Sequence, residues 1–211
     1  WVYTVVPSPE VPIVSGPPHK LRVVGPSEIA PGEDAWVGVK AEDVWGNPCS
    51  GYLGEVQIDA DRLQGLPSSY LFRSEDKGVV RFSTITAPGP GIYRVKVFDR
   101  DTDFDAESNP LRCLSNSAQS RRYWGDLHGQ SGETVGTNSV GAYFRFARDR
   151  ALVDFAGHQG NDFQITKAVW HEIRHQANTQ NEAGAFVALV GYEWSGNTPL
   201  GGDHNVYFPG A

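Results

Sequence analysis

Hydrophobic and polar residues alternate in short runs over roughly the first half of the chain. These runs cover residues 21–24, 35–40, 55–59, 79–83, 92–98 and 110–114, and clusters of Pro, Gly, Asn and Asp separate them. Alternation with a period of two, interrupted by turn residues, predicts β-strands with one buried face. Six such strands in succession predict an immunoglobulin-like β-sandwich.

The pattern changes after residue 116. Apolar residues recur at helical spacing over residues 140–147 and 167–178. Continuous apolar runs at 152–156 and 186–190 are typical of strands buried on both faces, as in parallel sheets. The order strand, helix, strand, helix, strand, strand predicts an α/β region that begins a distorted β/α barrel, so the expected fold class is multidomain β plus α/β.

These patterns predict three regions. Residues 1–18 are rich in proline and predict an extended arm or linker, residues 19–118 the sandwich, and residues 119–211 the first part of the barrel. A complete barrel of this type needs about 250 residues. The sequence therefore predicts an incomplete barrel, finished by the remainder of the same protein or by a second chain.

Polar side chains concentrate at the end of the segment Tyr123–Gln130. Asp126, His128 and Gln130 alternate along it and share one face of the predicted strand. A carboxylate, an imidazole and an amide at the C-terminal end of a strand suit a metal site.

Later segments add polar residues at comparable places. His158 and Asp162 follow the second apolar run, Glu193 closes the third, and His204 opens the last. The C-terminal ends of parallel strands form the active-site edge of β/α folds. The predicted metal ligands are His128, Gln130, His158, Asp162, Glu193 and His204.

The motifs Gly125-Asp-Leu-His128, Gly157-His-Gln-Gly-Asn-Asp-Phe-Gln164 and Gly191-Tyr-Glu-Trp-Ser195 resemble the polymerase and histidinol phosphatase (PHP) superfamily. The closer resemblance is to a group of large bacterial PHP-like proteins of poorly defined function. It covers roughly residues 108 to 208. It implies a distorted β/α barrel with two or three divalent ions (Mn, Zn or Fe) that hydrolyses phosphate esters with a metal-activated water.

The resemblance carries over residue by residue. His128 matches the first histidine of the superfamily's His-x-His motif, Glu193 the bridging glutamate, and His204 the histidine after it. Gln130 stands where the second histidine is expected. Asp126 is expected to orient His128, which gives Asp126, His128 and Glu193 as the predicted catalytic residues.

The chain also departs from the superfamily pattern. Besides Gln130, the usual Asp-His pair after the second strand is missing, and His158 and Asp162 are the nearest candidates. These departures allow a second hypothesis, a non-catalytic binding or scaffold protein with a decayed metal site.

Two further motifs compete for metal. His171-Glu-Ile-Arg-His175 has the zinc-protease spacing, with Glu193 as a conceivable third ligand, but Arg174 inside it favours a solvent-exposed helix face. Asp101, Asp103 and Asp105 match the start of an EF-hand loop. That loop needs glycine at residue 106 and a bidentate glutamate at residue 112, where this chain has Ala and Arg, so an acidic loop is the prediction.

Composition limits the partners. The 211 residues are 39% apolar and carry a formal charge of −7, which is typical of a folded protein and argues against nucleic acid or an anionic membrane as partner. A small anionic substrate would need local positive charge, such as bound metal. The sequence shows no signal-peptide pattern or membrane span, and the compartment stays unassigned. Cys49 and Cys113 are compatible with a disulfide or with two thiols.

Overall fold

The computed structural model describes residues 12–115, 121–196 and 201–208. The first of these segments consists of short strands. They are β1 Lys20–Val24, β2 Glu28–Ile29, β3 Ala35–Glu42, β4 Glu55–Asp59, β5 Ser69–Leu71, β6 Val79–Ile85, β7 Gly91–Tyr93, β8 Lys96–Asp99, β9 Asp105–Glu107 and β10 Leu111–Cys113.

The strands form a β-sandwich, which confirms that part of the prediction. One antiparallel sheet has the order β1-β3-β6 and the other has the order β5-β4-β8-β9, while β2, β10 and β7 form a small third sheet. Val39, Val56 and Val97 lie in the shared core and are almost completely buried. Tyr93 is also buried, and its hydroxyl donates to the Gly89 carbonyl oxygen at 2.7 Å, an arrangement similar to the tyrosine corner of immunoglobulin-like domains.

The predicted strand over residues 92–98 is two strands. In β7, Tyr93 pairs with Leu111, whereas in β8 Lys96 pairs with Asp59 in a different sheet. The chain therefore changes sheets between Tyr93 and Lys96. A hydrophobic pattern cannot show this change, because the alternation of buried side chains continues through it.

The second half contains two helices and a four-stranded sheet. Its elements are β11 Gly125–Gly129, α1 Val140–Phe146, a π-helical turn Ala147–Ala151, β12 Phe155–His158, a 3-10 turn Asp162–Gln164, α2 Lys167–Gln180, β13 Val187–Trp194 and β14 His204–Phe208. Ser139 and Thr166 cap the two helices with their side-chain oxygens.

The expected β/α barrel is wrong. The described residues form an open sheet with the order β11-β12-β13-β14, in which β11, β12 and β13 are parallel and β14 runs antiparallel to β13. A barrel repeat requires each strand to return parallel after a helix. Here β14 follows β13 without a helix among the described residues and folds back beside it as a hairpin. The fold is dominated by β-sheets.

Each half has its own hydrophobic core. The sandwich core contains only residues between Leu21 and Cys113, and the second core contains only residues between Val140 and Val190. The predicted boundary at residue 118 and most of the predicted arm lie outside the described residues. No helix in the described part of the chain is long and apolar enough to cross a membrane.

Polar contacts join the two halves near the start of β11. Arg121 pairs with Glu33, Arg122 Nη1 lies 2.8 Å from Glu28 Oε1, and the Trp124 indole donates to Ser27 Oγ at 2.8 Å. Leu152 packs so closely against Gly38 in β3 that an added Cβ there would collide with it. The sandwich therefore fixes the point where the first strand of the second sheet begins.

Because the two cores share no residues, we expect a polypeptide of residues 1–118 to fold without the second half. It should unfold cooperatively on heating and resist limited proteolysis. A fragment that lacks a cooperative thermal transition would contradict this expectation.

The matching variant of the full chain is Phe144→Ala. Phe144 is fully buried in the second core, and truncation of such a residue typically costs about 3–5 kcal/mol. We expect calorimetry to show a lower midpoint temperature for unfolding of the second half and an unchanged midpoint temperature for the sandwich. An equal fall in both midpoint temperatures would show that the halves unfold as one unit.

Candidate functional site

Parallel pairing brings polar residues from three strands to one edge of the sheet. Gly129 at the end of β11 pairs with His158 at the end of β12, and Asn161 forms a parallel bridge with Glu193 in β13. On the other side of β13, Glu193 pairs with Asn205 of β14. Side chains near these positions form one cluster, which we call the amide–carboxylate site and define as His128, Gln130, Asn161, Glu193 and Asn205.

His128 and Glu193 form the centre of this site. The His128 Nε2 atom lies 3.7 Å from Glu193 Oε2, and the His128 Nδ1 atom lies 2.9 Å from Asn205 Oδ1. The His128 side chain is 48% exposed, whereas the Glu193 side chain is only 12% exposed. The imidazole is therefore open to a ligand, while the carboxylate is largely enclosed.

Amide groups hold the Glu193 carboxylate in place. Asn161 Nδ2 donates to Glu193 Oε2 at 2.6 Å, and Gln130 Nε2 donates to the same oxygen at 3.3 Å. Thr134 donates to the Gln130 Oε1 atom at 2.6 Å and so orients the Gln130 amide. These donors partly offset the cost of enclosing a negative charge.

Asp126 contacts the backbone of His128 and not its imidazole. Its Oδ1 atom accepts the His128 backbone N–H at 2.9 Å, and its Oδ2 atom accepts the Tyr143 hydroxyl at 3.2 Å. Burial, and then the nearby Asp126 charge, raise the pKa of Tyr143, so this hydroxyl stays protonated and donates. Gly129 leaves room for the Tyr143 ring, with which an added Cβ would collide.

His158 lies beneath the site and is completely buried. The Gly160 N–H donates to its Nδ1 atom at 3.3 Å, so its proton is on Nε2, which lies 2.8 Å from Ser131 Oγ. Burial lowers the pKa of His158 to about 4, and the Glu133 charge opposes that shift only in part. Both nitrogens are thus engaged inside the protein, away from Glu193.

Asp162 and His204, also predicted as ligands, lie beside the cluster. Asp162 Oδ1 accepts the Ser195 N–H at 3.4 Å. The exposed His204 ring stacks on Trp194, with 5.4 Å between ring centroids and 17° between planes. His204 pairs with Trp194 while Asn205 pairs with Glu193, and neighbouring strand residues point to opposite faces. The side chain that reaches His128 is therefore that of Asn205.

The donor set suits a divalent cation in part. Two ligands about 2.1 Å from one ion lie roughly 3–4 Å apart, which matches the His128–Glu193 spacing of 3.7 Å. Rotating the Gln130 or Asn161 amide by half a turn would present an oxygen in place of a nitrogen. Among the residues that the structure describes, no three His, Cys, Asp or Glu side chains converge as a metal-binding group. Amide oxygens would have to complete the site.

The residues of the two competing motifs lie outside the amide–carboxylate site. His171 and His175 lie on the exposed side of α2, whose buried residues include Ile173 and Ala177. In the acidic loop, Asp99 accepts the Tyr52 hydroxyl and the Asp101 N–H, while Asp101, Asp103 and Asp105 are exposed.

Sequence reasoning overlooked Asn161 and Asn205 as site residues. Both lie beside residues that were singled out, Asp162 and His204. Asparagine is common in loops and at strand ends, so one sequence gives little signal for such a role. Only the strand register shows that these amides contact Glu193 and His128.

Comparison with known proteins finds a matching family and relatives of unknown function. Residues 107–209 match a family described as "Protein of unknown function (DUF3604)". Uncharacterized proteins from Chlamydia pneumoniae and Chlamydia muridarum are each 26% identical, over 89% and 88% of this chain and 30% of their own lengths. The chain therefore spans about a third of the length of these curated relatives.

Three solved structures illustrate distant similarity. The PKD domain of an M14-like peptidase from Thermoplasmatales archaeon SCGC AB-540-F20 is 18% identical, with a TM-score of 0.29 over 47% of this chain and 98% of its own. The CARDB domain of the PF1109 protein from Pyrococcus furiosus is 16% identical, with a TM-score of 0.31 over 49% of this chain and 95% of its own. A structure of PhoD is 11% identical, with a TM-score of 0.34 over 86% of this chain and 40% of its own.

The buried His158 predicts a loss of stability in mild acid. The pKa of His158 is about 4 in the folded chain and 6.5 in the free side chain. Between these pH values the side chain is therefore protonated in the unfolded chain and neutral in the folded chain. The contribution to stability is complete above pH 6.5 and is lost as the pH falls towards 4, by about 3 kcal/mol.

Urea unfolding at pH 7.5, 5.5 and 4.5 measures this loss, and a His158→Gln variant is the matched control because its side chain does not titrate. We expect the variant to lose about 2–3 kcal/mol less than the wild type between pH 7.5 and 4.5. If the free energy of unfolding changed equally with pH in the two proteins, His158 would be excluded as the cause of the acid destabilisation.

Proposed function

We propose that this chain carries part of the active site of a metal-dependent hydrolase, with phosphate esters as the substrate class. The observation that carries the proposal is the spacing of 3.7 Å between His128 Nε2 and Glu193 Oε2 at the C-terminal ends of parallel strands. The resemblance of the motifs around His128 and Glu193 to the PHP superfamily supports the same chemistry.

His128 and Glu193 would hold a divalent ion, with the amide oxygen of Gln130 as a further ligand, while Asn161 keeps its hydrogen bond to Glu193. Imidazole, carboxylate and amide donors together suit Mn²⁺, Fe²⁺ or Zn²⁺. When bound, such an ion would supply Lewis acidity, which polarises a phosphoryl oxygen and makes water more acidic.

The protein's own groups have distinct parts in this proposal. Asp126 holds the His128 backbone, and Asn161 fixes the Glu193 carboxylate. Asp126, Glu193 and the nearby Asp162 make the surroundings acidic, and the whole chain has a formal charge of −7. An anionic substrate would be repelled unless a cation were present, so the proposed substrate class itself calls for the metal.

A second candidate function is binding without catalysis. It is favoured by Gln130, which stands in place of an expected histidine and donates to Glu193, and by the incomplete set of ionisable ligands in the described part of the chain. Turnover of phosphomonoesters and phosphodiesters that needs Mn²⁺ or Zn²⁺ and stops with a chelator would exclude this candidate.

Metal content tests the proposed ligands directly. We expect His128→Ala and Glu193→Gln to lose bound metal after equilibration with Mn²⁺ and gel filtration, because each removes a charged or imidazole donor. Atomic absorption on the folded variants measures the loss.

His171→Ala and His175→Ala are the matched histidine controls. Both side chains are exposed on α2, and such substitutions usually change stability by less than about 0.5 kcal/mol. We expect both to keep the wild-type metal content. If these two variants lost metal and His128→Ala retained it, the metal ligands would be on α2 and the proposed site would be wrong.

A further inference from the structure

Asn205 occupies a defined position next to both central residues of the amide–carboxylate site. It is the second residue of β14, and its cross-strand partner is Glu193. Its Oδ1 atom lies 2.9 Å from the Nδ1 atom of His128, which belongs to β11 at the opposite edge of the sheet. Asn205 is therefore the residue through which β14 reaches the imidazole.

This contact determines where the imidazole proton lies. An amide oxygen only accepts hydrogen bonds, so the Nδ1 atom of His128 must carry the hydrogen. In the neutral ring the other nitrogen, Nε2, then has a free lone pair. That lone pair lies 3.7 Å from Glu193 Oε2.

In the neutral ring, the Nε2 lone pair of His128 and the Glu193 carboxylate lie across a short gap with no proton between them. A proton on Nε2 or a bound divalent cation would connect the two groups. At a pH where the ring is neutral, a cation is the partner that fits both. Asp126 contacts only the backbone of His128, so it cannot select the ring tautomer.

We propose that Asn205 is a positioning residue that holds His128 as the Nδ1–H tautomer and thereby directs its Nε2 lone pair, together with Glu193, towards one divalent cation. The assignment of the His128 tautomer follows from the contact with Asn205. The binding of a cation by His128 and Glu193 rests on the proposed function. Removal of such supporting hydrogen bonds typically weakens metal affinity by 10- to 100-fold.

Nitrogen-15 NMR of the histidine rings tests the tautomer without metal. At pH 8.5, where ordinary imidazoles are neutral, the His128 signals are identified by their loss in His128→Gln. We expect the Nδ1–H tautomer in the wild type and in Asn205→Asp, whose carboxylate also accepts. Asn205→Ala should shift the ring towards Nε2–H. The Nε2–H tautomer in the wild type, or unchanged signals in Asn205→Ala, would overturn the proposal.

Calorimetric titration with Mn²⁺ tests the binding of a cation on the same proteins. We expect Asn205→Ala to bind Mn²⁺ about 10- to 100-fold more weakly than wild type, and Asn205→Asp to retain affinity. Asn178→Ala, which removes an exposed asparagine from α2, should match wild type. Equal affinity in Asn205→Ala and wild type would overturn the positioning role. Absence of Mn²⁺ binding in wild type would refute the proposed function and the binding of a cation by His128 and Glu193, and would leave the tautomer result intact.

Discussion

Every contact at the candidate site depends on the parallel register of β11, β12 and β13. Parallel strands end at the same edge of a sheet, so residues far apart in sequence meet there. His128 and Glu193 are brought together in this way although 64 residues lie between them. The antiparallel addition of β14 then places Asn205 opposite Glu193. A shift of one residue in that pairing would exchange Asn205 for His204 or Val206 and reverse the faces of their side chains.

The same constraint explains which parts of the architecture could be predicted from the sequence. Alternation predicted seven of the ten sandwich strands that the structure describes, with β7 and β8 merged, and helical spacing predicted both helices, because these are local properties of the chain. The short strands β2, β5 and β9 were not predicted. Strand direction is not local. The apolar run in β13 has the composition of a parallel strand, yet its neighbour β14 is antiparallel. The barrel was wrong because composition does not specify how the next strand returns.

The site shows the same division between local and non-local information. A strand that ends in polar residues is visible in the sequence, and the structure brings His128, Gln130 and Glu193 together. The face on which a side chain lies at such an end is decided by neighbours. His158 faces the interior beside Ser131, and His204 faces Trp194. Gln130 was predicted from its place in the motif, whereas Asn161 and Asn205 were not, because a single asparagine carries little signal for such a role.

The sandwich contributes to the site although it supplies none of the site's residues. Arg121, Arg122 and Trp124 immediately precede β11, and all three bond to residues of the sandwich. β11 is an edge strand that pairs only with β12 among the described residues, so its own sheet restrains it from one side. The contacts to Glu28, Glu33 and Ser27 restrain its beginning from the other side. The strand that carries His128 is thus held at its start by the sandwich and near its end by the contact between His128 and Asn205.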